Sequence, residues 1–153
     1  MAKAKTILFA DDDQILLTSY SKLLEKAGYH VIKAHDGLAA MKNLFLLVPD
    51  LLILDLMMPK FEGEELLQMI SSSPQLAKVP VVILSSKCSV EPEHEHLMKL
   101  AARYLVKRDC TPAIFLEAVR AQFAGDLQEK PASLNEQFPR LNQTEVPQIE
   151  ALD

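Results

Sequence analysis

Short apolar runs alternate with longer amphipathic stretches along most of this chain. Residues 7–10, 51–54, 79–84 and 104–106 are apolar runs that end at polar residues, and residues 30–34 form a weaker fifth. Runs apolar on both faces are what parallel strands covered by helices require. Between them, Leu16, Tyr20, Leu23, Leu24 and Ala27 recur at helical spacing, with Asp13 placed to cap the start and Gly28 to stop the end. Asp36 caps a second helix carrying Leu38, Met41, Leu44 and Phe45, which Pro49 ends. A short third helix runs from Gly63 to Ile70 and closes at residues 71–74, Ser-Ser-Ser-Pro. A fourth, over about residues 91–102, gathers Leu97, Met98, Leu100 and Ala101 on one side. Thr111 and Pro112 make an N-cap and first-turn pair for a fifth, with Ile114, Phe115, Ala118, Val119 and Phe123 inward. Five strand–helix alternations predict an α/β fold: a doubly wound parallel sheet, helices on both faces, right-handed crossovers.

Composition narrows the class of protein. The 153 residues suit one domain, with no room for two. A net charge of −5 is wrong for a protein that works by neutralising nucleic-acid phosphates, so direct DNA binding is not expected. No apolar run reaches membrane-spanning length, and the N-terminus has no signal-peptide pattern. Two cysteines 22 residues apart form no metal or redox motif and fit a reducing compartment; the expected location is the cytoplasm. Residues 125–153 differ from the rest, with six acids, two bases and Pro131, Pro139 and Pro147. This acidic tail is expected to be extended or partly disordered, with Phe138, Leu141 or Ile149 able to dock on the body, leaving residues 1–124 as the domain.

The strand ends carry the chemistry. Strand 1 ends in Asp11, Asp12 and Asp13, strand 3 in Asp55, strand 4 in Ser85 and Ser86, and strand 5 in Lys107. If the sheet order is 2-1-3-4-5, strands 1 and 3 are neighbours and Asp11, Asp12 and Asp55 converge at the carboxyl ends, where such sheets bind ligands. Three carboxylates in one pocket repel unless a cation neutralises them, and hard oxygen ligands with room for water suit Mg²⁺. Ser85 and Lys107 then face Asp55 with a hydroxyl and an ammonium, groups that bind phosphoryl oxygens. Asp55 itself is a candidate nucleophile forming an acyl phosphate.

Residues 7–13 (ILFADDD), 49–59 (PDLLILDLMMP), 81–86 (VVILSS) and 104–107 (YLVK), with Ala34–Ala40 and Phe61-Glu-Gly63 between them, closely resemble receiver domains of two-component response regulators. The resemblance spans about residues 5–124 in order, and implies a CheY-like, flavodoxin-like (βα)5 sheet of order 2-1-3-4-5. It implies Asp55 as phosphoacceptor, Asp12 as a direct Mg²⁺ ligand, Asp11 as one acting through water, and the backbone carbonyl of Met57 as the third protein ligand. Ser85, with Ser86 beside it, matches the phosphoryl-binding hydroxyl, Lys107 the lysine paired with it, and Tyr104 the aromatic coupled to the switch. The implied partners are a histidine kinase or histidine phosphotransfer protein upstream, and a downstream protein on the helix 4–strand 5–helix 5 face.

Several features depart from that pattern or compete with it. Arg108 rather than proline follows Lys107, so no cis peptide is expected there, and Leu100-Ala101 replaces the usual Gly-Ala step, which would lengthen the fourth helix. Met57 and Lys87 are poor at positioning an attacking water, so slow self-dephosphorylation is expected. Asp13 reads as a helix cap rather than a ligand. His94 and His96, two apart, point in different directions on a helix and read as part of a solvated acidic face. Cys88 and Cys110 end neighbouring strands, although disulfide geometry is demanding. Two other functions compete: a pseudo-receiver that binds partners without phosphorylation, and a haloacid-dehalogenase-like phosphatase with Asp11 as nucleophile. The second lacks the further acidic pair its metal site needs and leaves Asp55, Pro59 and Tyr104 unexplained. The tail also suits a tether to a further domain.

Overall fold

The computed structural model describes residues 3–58, 60, 63–86 and 95–124. Strands β1 (Thr6–Ala10), β2 (His30–Ala34), β3 (Leu51–Leu54), β4 (Val81–Ser85) and β5 (Arg103–Val106) alternate with helices α1 (Gln14–Lys26), α2 (Gly37–Leu46), α3 (Gly63–Ser72), α4 (Glu95–Met98) and α5 (Pro112–Ala121). The strands form one parallel sheet in the order β2-β1-β3-β4-β5. This is a doubly wound parallel arrangement, and the expected order is the observed one.

The sheet separates two apolar layers. Ile7, Phe9, Leu51, Ile53, Val82, Leu84 and Leu105 pack against Leu17 and Leu24 of α1 and Phe115, Ala118 and Val119 of α5. Leu8, Leu52, Leu54 and Ile83 face Ala40 and Leu44 of α2 and Leu66, Leu67 and Ile70 of α3. Successive strand residues supply opposite layers, so β1, β3 and β4 are buried on both faces and read as unbroken apolar runs. Phe9 and Phe115 stack at 5.9 Å, and Tyr20 lies 4.5 Å from Phe115, tying α1 to α5 over β1.

Side-chain caps start three helices: Asp13 accepts from Leu16 N–H, Asp36 from Ala39 N–H and Thr111 from Ile114 N–H. Asp13 is the helix cap its position implied. Gly28, at φ 101°, closes α1 in a conformation costly for any residue with a Cβ.

Two expectations change. Within the described residues α4 ends at Met98, and Leu100 lies in the following turn, 40% exposed, so the Leu-Ala step does not lengthen the helix. Ala101, next on the chain, and Tyr104, four residues past Leu100, pack instead against the α2–α3 side of the core. In α2 the inward face is Ala40 and Leu44, while Leu38 and Phe45 look outward at 38% and 77% exposure. With apolar residues on nearly every side of α2, periodicity alone could not identify the inner stripe.

Every peptide bond among the described residues is trans, including the one after Lys107. Among those residues no helix is long and apolar enough to cross a membrane. Pro59, Phe61, Glu62, Lys87, Cys88, His94, the remaining start of the proposed fourth helix and the tail from residue 125 lie outside the described residues. Cys110 is a free thiol, which burial pushes up to about 11.

Candidate functional site

β1 and β3 pair through Ala10 and Leu54, so the next residue on each strand, Asp11 and Asp55, leaves the sheet at the same level. The backbone continues the ladder one step further: Asp55 N–H donates to the Ala10 carbonyl at 3.0 Å, and Asp11 N–H to that of Ala34 at 3.0 Å. Two neighbouring parallel strands therefore deliver two carboxylates into one buried place. Asp11 is fully buried and Asp55 nearly so, whereas Asp12 points to solvent.

Local turns orient both buried carboxylates. Asp13 N–H donates to Asp11 Oδ1 at 2.8 Å and Met57 N–H to Asp55 Oδ1 at 3.0 Å, the same aspartate-to-second-residue contact at each strand end. Lys107, one residue past β5, brings its ammonium across the sheet end. Its Nζ donates to Asp11 Oδ1 at 3.1 Å and to Asp55 Oδ2 at 3.2 Å. It also lies 2.9 Å from Asp11 Oδ2, but off the hydrogen-bonding direction, so that buried oxygen has no aligned donor among the described residues.

Among the described residues, one ammonium, that of Lys107, faces these three carboxylates. Burial pushes the Asp55 carboxyl up to about 6; the charge of Asp11 adds to the rise, while the Met57 N–H and Lys107 oppose it. Burial raises Asp11 as well, against the Asp13 N–H and Lys107. For Lys107, burial favours the neutral amine, but hydrogen bonds and charge from Asp11 and Asp55 outweigh it and hold the ammonium above its usual range. Among the described residues the site is thus short of positive charge.

Carboxylate oxygens of Asp11, Asp12 and Asp55 lie within 4.8 Å of one another, close enough to share one cation. The unaligned Asp11 Oδ2, the all-oxygen donor set and the unbalanced charge fit a hard divalent ion such as Mg²⁺.

The remaining expected residues surround Asp55 unequally. Ser85 is fully buried at the end of β4, beside Val106 in register. Ser86 is exposed, and its hydroxyl lies 3.7 Å from the Met57 sulfur. Met57 is half exposed at this edge. Tyr104 is half-buried in β5 opposite Ile83, packed on the α2–α3 side of the core.

Two contributors were not foreseen. A Cβ at Gly63 would lie 2.4 Å from the Asp55 carbonyl oxygen and 2.6 Å from Leu56 Cα, so the first turn of α3 sits directly on the backbone that carries Asp55. The glycine was visible, but nothing in its spacing revealed this close approach. Lys60, at φ 75°, pairs with Asp36 at 3.3 Å and ties the segment after β3 to the start of α2. Asp36 thereby serves as cap and ion-pair partner at once, and the Ala39 N–H foremost holds its carboxyl below the usual range.

The family model described as the response regulator receiver domain matches residues 7–120. The chain is 33% identical over 118 residues to the gliding motility regulatory protein of Myxococcus xanthus, covering 77% of this chain and 15% of that protein. It is 37% identical over 83 residues to the alkaline phosphatase synthesis transcriptional regulatory protein PhoP of Bacillus subtilis, covering 54% of this chain and 34% of that one. It therefore spans well under two-thirds of the length of these relatives. Among solved structures, the chemotaxis response regulator CheY4 of Vibrio cholerae superposes with a TM-score of 0.70 at 26% identity, covering 78% of this chain and 99% of that one.

Proposed function

This chain belongs to the response regulator receiver family of two-component signalling, and on that premise we propose that it accepts a phosphoryl group on Asp55 and signals through altered protein contacts. The observation that carries the proposal is the setting of Asp55. One of its oxygens is fixed by the Met57 N–H, and the other lies 3.2 Å from Lys107 beside two further carboxylates.

In this reading Asp11, Asp12, Asp55 and the Met57 carbonyl hold Mg²⁺. When bound, the ion offsets the carboxylate charge and neutralises the oxygens of the incoming phosphoryl group. Asp55 Oδ attacks phosphorus as the P–N bond to a histidine of the donor kinase or phosphotransfer protein breaks. The electron pair leaves with the imidazole, and an acyl phosphate forms on Asp55. Lys107 moves from its two carboxylate partners to a phosphoryl oxygen, and the Ser85 hydroxyl, next to Ser86, donates to another. Tyr104, on the neighbouring strand, then follows Ser85 and changes the face made by α4, β5 and α5, which a downstream protein reads. In this reading the chain works in the cytoplasm and signals through protein contacts. The chemistry is a stoichiometric phosphotransfer in which the chain takes part and is itself modified, as in receiver domains generally.

Incubation with acetyl phosphate and Mg²⁺, read by intact mass, tests the proposal. One added phosphoryl group on the wild type and none on Asp55→Asn or on the metal-chelated protein is expected. No addition to a wild type that binds Mg²⁺ would instead favour a pseudo-receiver.

A further inference from the structure

The end of α2 carries an apolar patch that no described residue covers. Phe45 is 77% exposed, Leu46 81% and Val48 51%, all within four residues at the end of the sheet opposite the acidic site. Scattered exposed leucines are ordinary; three large exposed apolar side chains within four residues are the kind of surface that marks a contact site.

The last described turn of the chain, after α5, emerges at this same end. The Phe123 ring lies 5.8 Å from Lys5 Nζ and 5.4 Å from the Tyr29 ring. The residue after Lys5, Thr6, exchanges hydrogen bonds with Asp50, its N–H to the carboxylate and its carbonyl to the backbone N–H, both at 2.8 Å. Asp50 is two residues from Val48. The exit of residues 125–153 and the apolar patch therefore flank the same pair of strands, on opposite faces of the sheet.

Lysines are spread along that end of the sheet. Lys3 and Lys5 precede β1, Lys26 precedes β2, Lys78 precedes β4 and Lys99 precedes β5, against Glu25 and Asp50 at that end; Lys42 lies one turn before Phe45. All of these lysines except the half-buried Lys5 are exposed. Residues 125–153 carry net −4, with Phe138, Leu141 and Ile149 spaced along them. From residue 125 to residue 137 the chain reaches about 40 Å when extended, against about 10 Å along the sheet for two strand spacings and about 20 Å from one covering layer to the other.

We propose that the tail folds back beneath the lower end of the sheet, so that segment 138–149 covers Phe45, Leu46 and Val48 with Phe138 and Leu141 while Asp126, Glu129 and Glu136 of the stretch leading to it lie along the lysine rim. The occupant is the chain's own tail: it leaves the body at the same end of the sheet as the patch, is long enough to reach it, and residues 125–137, which must cross the lysines, hold three acids against one base. This contact lies at the end of the sheet away from Asp55 and is independent of phosphorylation.

Hydrogen exchange of the full chain, followed by mass spectrometry of peptides spanning 138–149, tests it. At low salt these amides are expected to exchange several-fold more slowly than in an unstructured peptide of the same sequence. That protection should disappear in Phe45→Ser/Leu46→Ser and, with the folded body untouched, in Phe138→Ser/Leu141→Ser. It should also weaken at high salt, because the lysine rim is exposed. Exchange at the free-peptide rate in the wild type would overturn the proposal. So would protection that survives the Phe45 and Leu46 substitutions, which would put the segment elsewhere, or protection that grows with protein concentration, which would make the occupant a second copy.

Discussion

Burying Asp55 beside Asp11 makes the stability of the metal-free chain depend on pH. A carboxyl raised to about 6 when folded, against about 3.9 when unfolded, binds more protons in the native state between those values. Its protonated form is the one the fold tolerates. The stability it permits is therefore full below about pH 4, falls as pH rises through 6, and stays low at pH 7. The shift corresponds to an upper value of about 3 kcal/mol. Asp55→Asn removes the penalty. The metal-free variant is expected to be about 1–3 kcal/mol more stable than wild type at pH 7 and nearly equal to it at pH 4, by chemical denaturation. An equal difference at both pH values would contradict this electrostatic account. Saturating Mg²⁺ should stabilise the wild type, by about 2.7 kcal/mol at a hundredfold excess over Kd, and the Asn variant less. At the same scale, Met57 offers a thioether rather than an amide or acid beside Asp55. A phosphoryl lifetime of minutes or longer in the purified protein is expected, and decay within seconds would show that something else positions the attacking water.

At the scale of elements, α3 is seated so closely on Asp55 that its first residue tolerates no side chain. Gly63→Ala must push the α3 start away from the Asp55 and Leu56 backbone. Overpacking of this kind costs about 1–3 kcal/mol, and here the displaced atoms carry the acceptor. The variant should show a lower Tm and a slower gain of phosphate from acetyl phosphate, with intact-mass kinetics as the readout. Asp36→Ala removes a cap and the Lys60 pair together. A loss of about 1–2 kcal/mol is expected, nearly all from the cap, because Lys60 is mostly exposed. The caps themselves were legible: Asp13, Asp36 and Thr111 stand just before apolar periodic segments, the position that local hydrogen bonding favours. The inner face of α2 and the end of α4 were not. In α2 the apolar residues surround the helix, and in α4 one short apolar cluster feeds both a helix and the turn leading to β5. Tertiary packing decides such cases, and sequence period carries no trace of it.

For the whole molecule, the parallel sheet was readable because β1, β3 and β4 are buried on both faces and have no polar alternation to confuse them. The gathering of Asp11, Asp12 and Asp55 followed once strands 1 and 3 were made neighbours, and Lys107 came with strand 5. What stayed hidden was contact through space between segments distant in sequence: Gly63 on the Asp55 carbonyl, Lys60 on Asp36, and Phe123 beside Lys5 and Tyr29. None of these changes a local pattern. The molecule as a whole puts its unbalanced acids at one end of the sheet and its lysine rim at the other, so the two ends can engage different ligands. The claim on which the account turns is that the acid between Met57 and Lys107 is the one that bonds to phosphorus. Borohydride reduction of the acetyl-phosphate-treated protein, followed by peptide mass spectrometry, converts an aspartyl phosphate to homoserine and marks its position. Homoserine at residue 55 alone is the predicted result; homoserine at Asp11, or no reduced product from a protein that gained phosphate, would contradict it.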